Sequence, residues 1–208
     1  MPALDQAAIK KRLKKGDLYV CPILDWKDQI GTVSIDLRLG NVAFTARARG
    51  VSEVNPEAYR KQEGHHDLMR ARKQKLDRYD VPFHSPLLIH PGQLTLVPTL
   101  EWVDLPGDLM GYVTARSMWA REGLSIATAT LINPGYSGII TLELANLGQI
   151  PVRLFPGMRI AQMAFHRVDA PKKIRRRDGG QFKLAFEPGP GNVSKFDERF
   201  LPPRKKLA

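Results

Sequence analysis

The stretch LINPGYSGIITLELANLGQIPVRLFPGMRIAQMAFHRV, residues 131–168, decides the fold. Its apolar runs are of strand length and are cut by Asn-Pro-Gly-Tyr-Ser-Gly and Phe-Pro-Gly, the punctuation of tight turns. Within it, ITLELAN places Ile140, Leu142 and Leu144 on one face and Thr141, Glu143 and Ala145 on the other, the period of a half-buried strand. The same texture reaches back to Pro86 through Pro-Gly at 91–92 and Leu-Pro-Gly at 105–107. It predicts strands at 87–90, 94–100, 110–114, 138–146, 152–154 and 160–166, at the spacing of an all-β sandwich or barrel. Further upstream, TVSIDLRL at 32–39 alternates Val33, Ile35, Leu37 and Leu39 with Ser34, Asp36 and Arg38, a further strand signal.

Outside this β region the pattern changes. Asp5 is placed to cap a short helix with an apolar face of Ala8, Ile9 and Leu13, stopped by Gly16, before the chain extends at 18–21. Between 50 and 80 the alternation disappears and helix formers such as Ala58, Leu68, Met69, Ala71 and Leu76 gather among mixed charges, so a helical or mobile insertion is expected there. Residues 170–208 are basic and rich in Pro and Gly, and read as a flexible tail that orders against a ligand or a neighbouring subunit. The whole of 1–208 fits one domain.

Composition narrows the functional classes. With 43% hydrophobic and 25% charged residues and no apolar run approaching the roughly 18 residues of a membrane span, the chain reads as soluble. A basic N-terminus without an apolar region behind it is no signal peptide, and one cysteine, Cys21, excludes an intrachain disulfide and a Cys-rich zinc site; a cytoplasmic location is expected. The formal charge of +11 draws polyanions, whether nucleotides, nucleic acids or anionic membranes. His65 and His66 are adjacent and have no acidic or Cys cluster to complete a metal site. Phosphate-loop, dinucleotide-binding and nucleophile-elbow motifs are all missing, as is the H-x-E with P-C-x-x-C of zinc-dependent base deaminases.

Two segments carry chemistry. Arg116, Ser117, Trp119, Arg121, Glu122 and Gly123 follow a predicted strand, and two forked guanidiniums with a hydroxyl suit a phosphate group. A solvated surface loop would have the same composition. Residues 127–138, ATATLINPGYSG, offer small residues and a tight turn against which a ligand can approach the backbone. Glu143 then stands on a rigid strand, the place for a general base, although an alternating strand also produces polar residues that merely face solvent.

Taken together, TARSMWAREGL, INPGYSGIITLELAN and LFPGMRIAQMAF resemble the dCTP deaminases of the dUTPase superfamily, whose patterns are RSSxARxGL, IDPGxxGxITLELxN and PGMxIxQ. The resemblance extends to IDLRLGN at 35–41 and HPGQLTLVPTLEWVDLP at 90–106. It implies a distorted β-barrel or jelly roll assembled as a homotrimer, with active sites between subunits, magnesium carried by the triphosphate, and no zinc. It implies that Glu143 is the general base for the water that attacks C4 of cytosine, that Ser117 positions that water, and that Arg116, Ser117 and Arg121 contact phosphates and support the carboxylate. Ala129, Thr141 and Leu142 match positions lining base and sugar, and Gln162 matches the glutamine of PGMxIxQ. In the tail, Ser194-Lys195-Phe196 resembles the family's SKY, making Lys195 a triphosphate ligand, and Phe186 replaces an upstream tyrosine.

The departures also count. Asn133 stands where the family has an aspartate that bonds the deoxyribose 3′-hydroxyl, Met118 replaces the second serine of RSS, Arg199 stands where glutamine is usual, and the segment between Leu124 and Asn133 is one residue short. The function expected first is dCTP deamination to dUTP and ammonia. A phosphohydrolase of the dUTPase type would use the aspartate that is here Asn133 and a glycine-rich C-terminal motif that is missing, and a bifunctional enzyme doing both reactions ranks after these. A non-catalytic nucleotide- or nucleic-acid-binding member is the alternative of another class, motivated by charge and opposed by the lack of a basic and aromatic stacking platform.

Overall fold

The computed structural model describes residues 3–46, 76–126, 130–169 and 184–189. Helix α1 spans Gln6–Lys15 and is bounded as its sequence dictates. The Asp5 carboxylate accepts from the Ala8 N–H at 2.8 Å, and Gly16, at φ 77°, turns the chain out of the helix while its N–H donates to the carbonyls of Arg12 and Leu13. Ile9 is fully buried, with Ala8 and Leu13 packed beside it. The N–H of Leu4 donates to the Phe165 carbonyl at 2.8 Å, which fastens the helix to the last strand.

Twelve strands follow among the described residues: β1 Tyr19–Cys21, β2 Ser34–Arg38, β3 Val42–Ala46, β4 Leu76–Asp80, β5 Leu87–Ile89, β6 Leu94–Asp104, β7 Leu109–Ala115, β8 Leu124–Ile126, β9 Leu131–Ile132, β10 Ser137–Asn146, β11 Val152–Leu154 and β12 Arg159–Arg167. A one-turn helix, α2, Ser117–Arg121, lies between β7 and β8. The strands form a six-stranded sheet ordered β4-β3-β6-β10-β8 with β1 also on β6, a four-stranded sheet ordered β2-β12-β7-β9, and the pair β11-β5. The expected mainly β class is what forms; among the described residues the hydrogen bonding runs in three open sheets and closes no barrel.

Strand β6 organises the larger sheet. One edge pairs with β10 along its length, while the other is shared by β3 at Thr95 and Leu96 and by β1 at 102–104. Pro98 sits in the middle of β6, where a residue without an N–H would break a regular ladder. The break is absorbed on both sides. Strand β10 bulges between Ile139 and Thr141, so that the Ile140 N–H donates to the Thr99 hydroxyl at 3.0 Å, and on the other edge, between β3 and β1, a single bridge joins Leu39 to Thr99. There Gly40 donates to the Pro98 carbonyl at 2.8 Å, an approach so close that a Cβ at Gly40 would lie 2.7 Å from that oxygen.

The inner faces of the two larger sheets meet in one apolar cluster. Ile35 and Leu37 of β2, Val97 and Val103 of β6, Val113 of β7, Leu142 and Leu144 of β10, and Met163 and Phe165 of β12 all belong to it. The insertion expectation is corrected at its end: Leu76–Asp80 is a strand in register with β3, from Ala46↔Leu76 to Val42↔Asp80. Pairing along a whole strand edge outweighs the helix preference of Leu76. The rest of that expectation, over residues 50–75, lies outside the described residues, as do residues 170–183 and 190–208 of the tail. Residues 184–189 do not wait for a ligand or a neighbour: the Leu184 N–H donates to the Ser137 carbonyl and the Ile139 N–H to the Ala185 carbonyl, at 2.7 and 3.3 Å.

Candidate active site

Strand β10 presents Glu143 on the outer face of the six-stranded sheet. Cross-strand neighbours share a face, so the register Arg78↔Phe44, Phe44↔Leu96 and Leu96↔Glu143 lays these four side chains in one row across β4, β3, β6 and β10. Glu143 is half-buried, and that burial pushes its carboxyl above the ordinary range. A carboxylate with raised proton affinity on a rigid strand is suited to take a proton from water and return it. Thr141 shares the face, opposite Pro98. Leu142 does not: its side chain is fully buried in the core on the opposite face, so the expectation that it lines a base or sugar is corrected to its backbone at most.

A second group stands at the end of the four-stranded sheet. Arg116 leaves β7 in an extended conformation, with its N–H on the Ile160 carbonyl at 3.0 Å, and its guanidinium forms an ion pair with Asp36 of β2. Asp36, Gln162 and Thr114 form one row across β2, β12 and β7, and the Gln162 amide donates to the Thr114 hydroxyl at 3.3 Å. Arg159 reaches the same Asp36 oxygen at 3.4 Å. Burial raises the Asp36 carboxyl against the opposing pull of Arg116 and Arg159. Ser117 and Arg121, the first and last residues of α2, are exposed, while the Trp119 indole donates to the Arg159 carbonyl at 3.2 Å and seats the helix on β12.

Asn133 opens the predicted turn after β9 and is exposed. The Tyr136 N–H closes the turn on the Asn133 carbonyl at 3.2 Å, and Gly135 takes φ 74°, as a turn with proline before it requires. Tyr136 anchors it: its ring packs on the core, its hydroxyl donates to the Ile139 carbonyl, and burial pushes the phenol up to about 12. Phe186 is exposed and meets Trp102 of β6 at 5.0 Å between ring centroids, tilted by 43°. Glu187 beside it pairs with Arg78 at 2.9 Å.

The structure therefore gathers Arg116, Ser117, Arg121 and Gln162 around the β7–α2 corner, and sets Glu143 and Thr141 on the other sheet. Ala129 and Lys195 lie outside the described residues. Asp36 and Arg159 were not singled out by sequence reasoning; Asp36 shows as a polar position of IDLRL, but its meeting with Arg116 is 80 residues distant along the chain. Among the described residues no group of three or more His, Cys, Asp or Glu is placed to hold a metal, and no helix is long and apolar enough to cross a membrane.

Comparison with known proteins gives a consistent set of likenesses. The model of the dCTP deaminase-like family matches residues 3–168. A dUMP-forming dCTP deaminase of Dictyoglomus thermophilum is 37% identical over 169 residues, 81% of either chain. A dCTP deaminase of Natronomonas pharaonis is 37% identical over 169 residues, 81% of this chain and 82% of its own. A dUMP-forming dCTP deaminase of Methanosphaera stadtmanae is 34% identical over 202 residues, 96% of either chain. In three dimensions, the crystal structure of 2′-deoxycytidine 5′-triphosphate deaminase from Agrobacterium tumefaciens superposes with a TM-score of 0.59 at 24% identity, a likeness of fold. It covers 80% of this chain and 48% of that one, so this chain spans about half the length of that neighbour.

Proposed function

Because this chain belongs to the dCTP deaminase-like family, we propose that it is a hydrolase that deaminates dCTP to dUTP and ammonia. The observation that carries the reading is Glu143, a half-buried carboxyl of raised proton affinity held on β10. As general base it takes a proton from water as the oxygen bonds to C4 of cytosine. The tetrahedral carbon then collapses to the carbonyl of uracil, and the proton goes to the departing amino nitrogen, which leaves as ammonia. Ser117 orients the water, and Arg116 and Arg121 receive the triphosphate, whose charge their permanent cations match. Gln162 supplies a neutral donor beside Arg116, and Asn133, at the turn after β9, supplies one to the sugar hydroxyl. Magnesium enters on the triphosphate as part of the substrate, since the carboxylate placed at this corner, Asp36, is taken up by Arg116 and Arg159, and the remaining groups suit phosphate oxygens.

The same reading assembles the site between copies in a homotrimer. What supports this is the separation of the two groups onto different sheets and the half-exposed apolar outer face of β6 beside Glu143. Chemistry through Glu143 requires no zinc, and a nucleotide substrate with a single cysteine fits a cytoplasmic enzyme.

A second reading has a specific basis, because relatives named dUMP-forming match as closely as one named simply dCTP deaminase. In that case the dUTP would be cleaved further to dUMP and pyrophosphate. Asn133 favours the single reaction, since an amide cannot serve as the base for a second water. The reading is tested with Glu143→Gln, which keeps the shape and loses the proton acceptor. Ammonia release from dCTP is expected to fall by about 10²–10⁴-fold, with dCTP binding by calorimetry near that of the unaltered protein. Turnover close to that of the unaltered protein would remove Glu143 from the mechanism.

A further inference from the structure

Arg116 is held from two directions. Its N–H is fixed on β12 through the Ile160 carbonyl at 3.0 Å, and its carbonyl accepts the Trp119 N–H at 3.0 Å, so the backbone cannot move without disturbing α2. Its side chain is anchored on β2 by Asp36, which is nearly buried in the middle of a strand. The carboxylate is shared: Arg159 approaches the same oxygen at 3.4 Å while donating to the Asp28 carbonyl at 2.7 Å. One negative charge thus pairs with two guanidiniums, with that of Arg38 on the same face of β2 also within electrostatic reach, and the cluster keeps a net positive charge at the mouth of the β7–α2 corner. Arg116 has five N–H donors and spends few of them on Asp36, which leaves the rest of its fork for an oxyanion.

We propose that Asp36 is a positioning residue that acts through Arg116: shared with Arg159, it fixes the direction of the Arg116 fork toward the substrate's phosphates without neutralising it. This rests on the triphosphate role of Arg116 given above. A carboxylate bound to Arg116 alone would orient the fork and cancel its charge; a corner without the carboxylate would keep the charge and lose the orientation. Sharing by Arg159 provides both, and gives Arg159 a role in binding that passes through Asp36, to which it donates alongside the Asp28 carbonyl.

The test uses the full chain with dCTP and magnesium, and inorganic tripolyphosphate as a probe that lacks base and sugar. Loss of an oriented charge-assisted bond in Asp36→Asn is expected to raise KM for dCTP and weaken tripolyphosphate about tenfold, with kcat nearly unchanged. Arg159→Gln, which leaves Asp36 to Arg116 alone, shifts both in the same direction by a smaller factor, and serves if Asp36→Asn does not fold. In an Arg116→Gln background, Asp36→Asn changes neither further, because its effect passes through Arg116. Asp36→Glu restores part of the affinity. Unchanged KM and tripolyphosphate affinity in Asp36→Asn or Arg159→Gln overturn the proposal, as does an undiminished effect in the Arg116→Gln background or failure of the unaltered protein to bind tripolyphosphate. Absence of dCTP turnover by a protein that binds tripolyphosphate removes the deaminase reading and leaves the Asp36 result standing on the probe alone.

Discussion

Glu101, which takes no part in the proposed chemistry, carries the clearest titration. It is fully buried on β6, where the Gln29 amide donates to one carboxylate oxygen at 2.9 Å and the Arg38 N–H to the other at 2.8 Å. Burial nevertheless pushes the carboxyl up from 4.5 to about 7. A folded-state value above the unfolded one means that the folded protein holds the proton longer. Stability from this group is therefore greatest below the unfolded value of 4.5 and is lost as pH rises through about 7. Glu101→Gln removes the titration and turns an amide N–H₂ toward one of the two donors, so a loss of about 1–3 kcal/mol is expected. Thermal unfolding between pH 5 and 8 checks this: the gap between the unaltered protein and the variant widens as pH falls, and a gap independent of pH would show that Glu101 does not titrate in this window. Glu101 sits on an alternating strand like Glu143, and single-sequence alternation gives no means of telling the inward carboxylate from the outward one.

At the scale of the element, β6 and β10 show why part of the structure was legible. Long strands with one buried face print their period, so 94–100 and 138–146 are recovered in Leu94–Asp104 and Ser137–Asn146. Short elements are less uniform: β2, β5 and β11 were expected, whereas strands β3, β8 and β9 and helix α2 were not predicted, because their place is set by partners distant in sequence. Strand β4 fell inside the expected helical or mobile insertion, because its pairing with β3 is likewise set from a distance. The even-numbered residues of β6 account for the face that carries Glu143: Leu96, Leu100 and Trp102 are only half-buried there, beside Phe44 of β3. In the proposed homotrimer a neighbouring copy covers this face. Light scattering is expected to give three times the 23.4 kDa chain, and the mass of one chain would remove the intersubunit site.

For the whole molecule, the retained chemistry outweighs the charge. A formal +11 suits nucleic acid as well as a nucleotide; among the described residues, Arg116 and Arg159 converge on one small locus around Asp36. The motifs around Arg116, Glu143 and Gln162 named the family from sequence, and the structure added what motifs cannot carry, that these residues lie on two sheets. Against the pattern of the family it resembles, the departure that bears most on the reaction is Asn133, at an exposed turn. The most direct measurement is to incubate the purified chain with dCTP and magnesium, and separately with dUTP, and to count ammonia against pyrophosphate. One ammonia per dUTP formed, with no pyrophosphate from either nucleotide, is the predicted result; pyrophosphate and dUMP would contradict the single reaction, and no ammonia from dCTP would contradict deamination itself.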